Sequence, residues 1–479
     1  MKKQFLLLCL VFLFGGTLIS PLLAAPSEQI LNSVSAADEE ALDPNFMGMV
    51  IRDPWYDFGT APNKPNEPNY EAQNRMGEIL ASAGVKWVRL DFHILAGISD
   101  SKAIEQQIAK NDYFINVVAP RHNFKVLALL SFDLLKGANP RDLNSTSYLS
   151  TTNTIYGGGV NAAMDKWLTR ALMIADRYGP AIDAYEILNE QNRLPNYEEN
   201  GVAGDAIKPE ITARLMAKFY RFCKNINPSN QNHGCSADTK IILGGLHPRG
   251  TTTMIKENGK VIEKVVMTDV EYIKAMYAKN GPFEEFKQTY GFYPIDGIGY
   301  HPYPQEIQLS ISNNLVDIGL TRMEQVMKQV QDPCKPFWIT EVGMNVGFDS
   351  DGPRNPIPPI TALDQARFME DVYRSLYKRR FDPSLKCESQ RAVENVFWFK
   401  YEDFPPYKSD PNKGIWAQQW GIVRIDFKED TSCEGGACYA VDGKPLYLRD
   451  SYYTYRKLAG KDVYTTQLPI VRQEKASKE

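Results

Sequence analysis

The chain has 479 residues, of which 43% are hydrophobic, 11% aromatic and 23% charged, the balance of a folded protein with a large core and not of a disordered one. Its 54 basic and 58 acidic residues give a net charge of −4, made more acidic if Lys2 and Lys3 are removed, and no block of Lys and Arg stands out. Nucleic acid and anionic membrane surfaces are therefore not expected partners, and a neutral polymer fits better.

Met1-Lys2-Lys3 is followed by apolar residues from Phe5 to Phe14, then Gly15-Gly16 and small residues ending at Ala24-Ala25. This reads as a secretory signal peptide over residues 1–25, because a membrane span needs about 20 consecutive apolar residues. The expected compartment is extracellular or periplasmic, with no stable membrane insertion after cleavage. Residues 26–44 are expected to be mobile. Of the seven cysteines, Cys9 lies in the leader, and the six that remain form an even set in an oxidising compartment. Two local disulfides are expected, Cys223–Cys235 and Cys433–Cys438. A third, Cys334–Cys387, requires that the apolar runs following those two cysteines be neighbours.

Eight apolar, β-branched or aromatic runs recur along the chain. They begin near Phe46 (FMGMVI), Val85 (VKWVRLDF), Phe124 (FKVLALLSF) and Ile182 (IDAYEILNE), then near Lys240 (KIILGGL), Ile295 (IDGIGYHPYP), Phe337 (FWITEVGM) and Val393 (VENVFWFKYED). Stretches with helical periodicity lie between them, such as Val160 to Tyr178, Pro209 to Asn225 and Ala362 to Arg379. Alternation of this kind implies a parallel sheet. Eight strands suggest closure into a (β/α)8 TIM barrel of α/β class over residues 45–462, with a tail at 463–479. An open doubly wound sheet matches the count equally well, so the motifs must decide. Gly157 to Ala162 has dinucleotide-fingerprint spacing but follows the polar Thr151-Thr152-Asn153-Thr154, so it reads as a loop into a helix. Asp349-Ser350-Asp351-Gly352 reads as a turn, since the later ligands of a calcium loop are missing. The five His are not paired at metal-ligand spacing, and no Gly-x-Ser-x-Gly elbow occurs. No cofactor and no metal are expected.

In an α/β barrel, function collects at the C-terminal ends of the strands. The fourth run ends in Asn189-Glu190 and opens into a polar loop from Gln191 to Lys208. The seventh ends in Thr340-Glu341. Two carboxylates facing each other across a barrel mouth can divide the work of cleaving a glycosidic bond. One protonates the leaving oxygen and the other attacks the anomeric carbon. Glu341 is then expected ionised, and Glu190 protonated in a partly apolar setting beside its neighbour's charge.

Tyr185-Glu186-Ile187-Leu188-Asn189-Glu190 resembles the fourth-strand acid/base motif of clan A glycoside hydrolases, and Trp338-Ile339-Thr340-Glu341-Val342-Gly343 resembles their seventh-strand nucleophile motif. Gly299-Tyr300-His301-Pro302-Tyr303-Pro304 is similar to the sixth-strand motif. The likeness is nearest to family 39, then family 5, and runs over residues 44–462. It implies retaining hydrolysis of β-linked glycans, with Glu190 as acid/base and Glu341 as nucleophile. It further implies that Arg89 keeps the nucleophile anionic, that Asn189 binds a sugar 2-hydroxyl, that His301 and Tyr303 hydrogen-bond near the nucleophile, and that Trp398 floors the reacting sugar. Family 39 xylosidases usually add a β-sandwich, and the residues after the eighth run leave no room for a full one, so a single catalytic domain is expected. His247, just past the fifth run, is a candidate subsite residue or else a capping or surface histidine. Trp55, Trp416 and Trp420 fall in loops that closure makes neighbours, where aromatic rings suit the apolar faces of sugars.

The expected activity is endo-hydrolysis of a β-linked polysaccharide by a monomer. An exo-β-glycosidase of xylosidase or glucosidase type and a transglycosylase stay open, as does, from another class, a non-catalytic carbohydrate-binding surface protein.

Overall fold

The protein is described by a computed structural model covering residues 40–54, 58–61, 64–192, 207–226, 233–248, 251–257, 260–303, 315–346, 360–404, 419–425, 427–429, 437–439 and 445–462. Each of the eight apolar runs forms a strand: β1 Met47–Arg52, β2 Trp87–Asp91, β3 Lys125–Leu130, β4 Ala184–Ile187, β5 Lys240–Leu246, β6 Gly297–Tyr300, β7 Phe337–Val342 and β8 Val393–Trp398. Neighbours in sequence are neighbours in space, every pairing is parallel, and β8 returns to β1 to close the barrel. The expected (β/α)8 class is therefore observed, and the open-sheet alternative is excluded.

Side chains alternate across a strand with period two, so every second residue enters the barrel. Val50, Trp87, Leu127, Ala184, Ile242, Trp338 and Phe397 fill its interior as a cluster of their own, with Trp87 and Trp338 meeting edge to face at 5.4 Å. The opposite strand faces join the helices in a second, larger cluster. The helices are α1 Tyr70–Ala83, α2 Ser101–Ile108, α3 Ala162–Tyr178, α4 Pro209–Cys223, α5 Asp269–Met276, α6 Pro282–Tyr290, α7 Leu315–Gln329, α8 Ala362–Lys378 and α9 Asp450–Leu458. Their apolar residues recur at three and four: α4 buries Ile211, Leu215, Phe219 and Phe222, and α8 buries Phe368, Met369, Val372 and Leu376. Full burial of one such side chain contributes about 1.5–3 kcal/mol. Pro209 opens α4, where its missing N–H leaves nothing unpaired. Thr361 and Asp364 form a reciprocal capping box that starts α8.

Arg170 of α3 is buried and donates to the carbonyls of Ile94, Leu95 and Ile98 after β2 and of Leu134 after β3. Four backbone acceptors on one planar donor fork fix these two loops to each other. Cys223–Cys235 joins the end of α4 to the turn before β5, and Cys334–Cys387 joins the segments leading into the neighbouring β7 and β8. Cys433 lies outside the described residues, as do the leader and the segment 463–479. Past β8, Val423–Ile425 pairs antiparallel with Pro445–Leu448, and α9 then packs against α1 and α8. The backbone N–H of Leu42 donates to the carbonyl of Leu458, tying α9 to the segment before β1. Ala41–Glu479 form one unit. No described helix is long and apolar enough to cross a membrane.

Candidate active site

Counting two residues onward from the apolar layer identifies what stands above it. Trp87 leads to Arg89, Ala184 to Glu186 and Trp338 to Thr340, so a polar layer sits directly on an apolar one. The Arg89 guanidinium is buried and spends its fork on three partners. Nε donates to Glu186 Oε2 at 2.5 Å, Nη1 to Glu341 Oε1 at 2.7 Å and Nη2 to Asn189 Oδ1 at 3.0 Å. Burial alone would favour the neutral form, but the charges of Glu186 and Glu341 outweigh it and raise the pKa of Arg89. Glu186 is fully buried and shares its other oxygen between the backbone N–H of Gly245 at 2.9 Å and the hydroxyl of Thr340 at 2.8 Å.

Strict alternation would send Glu341 outward, because Thr340 already points in. The pairing of β7 with β8 shifts register between Ile339 and Val342, and a bulge of this kind re-aims a side chain. Glu341 consequently reaches the mouth, held by Arg89 on one oxygen and by the Tyr303 hydroxyl on the other at 2.7 Å. Burial and the adjacent Glu341 charge push the Tyr303 phenol well above its ordinary range, so it serves as a neutral donor.

Glu190 lies beyond the end of β4, where Leu188 and Glu190 take left-handed φ values of 67° and 46°. A branched residue there costs on the order of 1–3 kcal/mol, and such strain collects at functional sites. The turn is held by bonds from Leu188 N–H to the Leu130 carbonyl and from Glu190 N–H to the Gly245 carbonyl, each 3.0 Å. It also needs Gly244-Gly245 opposite. A Cβ on Gly244 would lie 1.9 Å from the Leu188 carbonyl oxygen, and one on Gly245 would lie 1.9 Å from Nε2 of His301. His301 fills the space so left. Its Nδ1 is 3.3 Å from Glu190 Oε1 and 3.6 Å from Glu341 Oε2, and its Nε2 is 2.9 Å from Thr340 Oγ1. Burial draws the imidazole toward neutrality, while Glu341 and Glu190 oppose this more strongly and raise its pKa overall.

Glu190, His301 and Glu341 each offer a metal-ligating atom within 4.8 Å of the others. These atoms already face Arg89, Tyr303, Thr340 and one another, so the cluster is a hydrogen-bonded set in its own right.

The structure brings Arg89, Asn189, Glu190, His301, Tyr303 and Glu341 together. It does not bring Trp398 with them, which corrects the expected sugar floor. Phe397 enters the barrel, so Trp398 faces out and packs against Phe368 of α8 at 6.2 Å, fully buried. Phe399 takes the inward position instead, 6.1 Å from the ring of Tyr303 and 5.7 Å from that of Trp420, and Tyr303 and Trp420 lie 5.5 Å apart. Trp420 is half-buried in this aromatic wall. His247 sits just past β5, its backbone paired with Asn192 in both directions at 2.7 and 2.8 Å. Trp55 and Trp416 lie outside the described residues. Sequence reasoning missed Thr340, Phe399 and Gly245 as site residues. One guanidinium serves both Glu186 and Glu341. The period-two count from the apolar layer is the signal that finds Thr340, Glu186 and Phe399.

No family model and no curated relative matches the chain. Among solved structures it is similar to the AHE enzyme from Alicyclobacillus herbarius, at 11% identity and a TM-score of 0.50 over 88% of this chain and 100% of that one. It also matches GH5_18 from Streptomyces cattleya in complex with GlcNAc, at 14% identity and a TM-score of 0.45 over 88% of this chain and 80% of that one. A third match is an FMN-binding β-glucuronidase from Facaelibacterium prausnitzii, at 13% identity and a TM-score of 0.41 over 89% of this chain and 45% of that one. The likeness at this identity is one of fold.

Proposed function

We propose that this protein is a retaining β-glycoside hydrolase, with Glu341 as nucleophile and Glu190 as general acid/base. The observation that carries the reading is the pairing itself: an oxygen of Glu190 lies within 4.8 Å of one of Glu341 at the C-terminal mouth of the barrel. Retaining enzymes hold their carboxyl groups about 5–5.5 Å apart, whereas inverting ones need about 6.5–9.5 Å to admit a water between them.

In the first half-reaction Glu341 attacks the anomeric carbon while Glu190 passes a proton to the glycosidic oxygen. The bond from carbon to that oxygen breaks, and the aglycone leaves as an alcohol. In the second, Glu190 takes a proton from water, the resulting hydroxyl attacks the same carbon, and Glu341 departs as carboxylate. Two inversions leave the configuration unchanged. Arg89 and Tyr303 keep both oxygens of Glu341 placed for attack. Phe399 and Trp420, with Tyr303, supply the apolar wall in place of Trp398, and Asn189, fixed through Arg89, is the group offered to a sugar hydroxyl.

The substrate is proposed to be a β-linked oligo- or polysaccharide met outside the cell by a secreted, monomeric enzyme. Both disulfides among the described residues suit an oxidising compartment. Endo-action is proposed on the length of the polar loop from Gln191 to Lys208.

The test is hydrolysis of β-glucan, xylan, mannan and galactan by the purified protein and by Glu190→Ala and Glu341→Ala, with proton NMR of the first-formed anomer and product sizes followed over time. Cleavage of one polymer with the β-anomer formed first, lost in both variants, is the expected result. Variants as active as the wild type, or an α-anomer formed first, would refute it.

A further inference from the structure

Four buried groups line up across the barrel between β4, β6 and β7: Glu186, Thr340, His301 and Glu190. The direction of each hydrogen bond can be worked out from what each atom is able to donate. Glu186 receives N–H bonds from Arg89 at 2.5 Å and from Gly245 at 2.9 Å, so its oxygens act as acceptors. Thr340 lies 2.8 Å from Glu186 Oε1 and has a single hydroxyl proton, which must therefore point at Glu186. Toward its other neighbour, Nε2 of His301 at 2.9 Å, Thr340 can then only accept. Nε2 must consequently carry a proton.

We infer that Glu186 and Thr340 are positioning residues that fix the tautomer of His301, so that its Nδ1 and Glu190 share the one proton that Glu190 gives to the leaving group. With Nε2 protonated, a neutral His301 presents a lone pair at Nδ1, and Glu190 must be the protonated partner across the 3.3 Å contact. If the proton moves to Nδ1, the pair becomes imidazolium and carboxylate without changing its total charge. The other groups facing His301 are Glu341 at 3.6 Å from Nδ1, Glu186 at 3.9 Å from Nε2, Tyr303 ring to ring at 6.3 Å, and the Arg89 charge behind both carboxylates. Arg89 and Tyr303 hold Glu341, which leaves the proton to the His301–Glu190 line. When the glycosidic oxygen takes that proton, the bond between it and the anomeric carbon breaks, and Nε2–H stays on Thr340 throughout. In the second half-reaction the same line receives one proton from water.

This inference rests on the assignment of Glu190 as acid/base. Its test uses Thr340→Val, which keeps the shape and removes the hydroxyl, and Thr340→Ser, which restores it. Without the hydroxyl His301 is released to carry its proton on Nδ1, where it donates to Glu190, favours the ionised carboxylate and weakens the acid. The substrates are aryl β-glycosides of glucose, xylose, mannose and galactose bearing 2,4-dinitrophenol, 4-nitrophenol or phenol. On the sugar that the wild type accepts, Thr340→Val should lose about tenfold or more in kcat/KM with phenol and about threefold or less with dinitrophenol, which needs no proton. The alkaline limb of its pH profile should move to lower pH, and Thr340→Ser should restore both. A uniform loss across leaving groups with no movement of the limb would overturn the inference. Glu190→Ala separates the two levels: if it shows no leaving-group dependence, the acid/base assignment itself fails. If it shows that dependence and Thr340→Val does not, only the relay fails. Should Thr340→Val not fold, nitrogen NMR of the side chains of the five histidines in the labelled wild type decides the question. A protonated Nε2 on His301 is expected, and a proton on Nδ1 alone would overturn the proposal.

Discussion

Arg89→Met removes the cation that two carboxylates share while keeping most of the side-chain volume. Glu186 is fully buried and Glu341 is 8% exposed, and each bonds directly to the guanidinium, at 2.5 and 2.7 Å. Removing one partner of a buried ion pair costs about 3–5 kcal/mol, because the partner left behind has lost both water and its counter-charge. Glu341 has Tyr303 as a second donor and lies nearer the mouth, so most of the cost falls on Glu186. Urea unfolding should therefore place Arg89→Met about 3–5 kcal/mol below the wild type. Adding Glu186→Leu removes the uncompensated charge, so the double variant should lie at least about 1 kcal/mol above the sum of the two single losses. Activity should not return in the double variant, since Glu341 and Asn189 still lack their anchor. A loss below about 1 kcal/mol in Arg89→Met, or strict additivity in the cycle, would refute the shared-cation account.

Other variants separate neighbouring roles. Trp398→Leu should lower stability by about 2–4 kcal/mol, as a core truncation does, and leave kcat/KM nearly unchanged in the folded fraction, whereas Phe399→Ala should do the reverse; equal kinetic losses would return Trp398 to the sugar. Opening Cys334–Cys387 by a double Ser substitution should cost about 4 kcal/mol by chain entropy for a separation of 53 residues, read as a lower urea midpoint under oxidising conditions only. The bonds that Asp364 accepts from Thr361 hold its carboxyl below the ordinary value of 3.8. That contribution to stability is present above the ordinary value and is lost as pH falls through the lower folded one, so Asp364→Asn should flatten the fall in Tm below about pH 4.

Periodicity sufficed for a parallel α/β sheet because eight apolar runs separated by helical stretches have few ways to bury both strand faces, whereas closure into a barrel rested on the motifs at the strand ends. The two glutamates were legible because each follows directly on an apolar run. Their orientation was not. Glu341 depends on a register shift against β8, and Glu190 on two left-handed residues, and neither leaves a mark in the composition of those segments. Trp398 shows the opposite failure. The resemblance placed it under the sugar, yet alternation from Phe397 sends it into the helix layer, a count that two inward anchors such as Trp338 and Phe397 would have supplied. Glu186 reads as an ordinary strand residue in a linear scan. Only its position two residues beyond Ala184, level with Arg89 and Thr340, gives it a role.

The charges of these groups can be taken together. Glu186 and Glu341 contribute two negative charges and Arg89 one positive, while His301 and Glu190 share a proton and add none, so the polar layer carries one net negative charge. In the proposed reaction the anomeric carbon becomes positive as its bond to the leaving oxygen stretches, and a fixed negative charge in a buried setting would stabilise that change more than it stabilises the resting sugar. Without Arg89 the layer would hold two close carboxylates with no cation between them, and Glu341 would lose the donor that fixes one of its oxygens. With a second cation the layer would be neutral and this electrostatic contribution would be lost. Glu186 thus does more than anchor a guanidinium. By sharing Arg89 with Glu341, it keeps that cation from cancelling the charge that the proposed reaction needs.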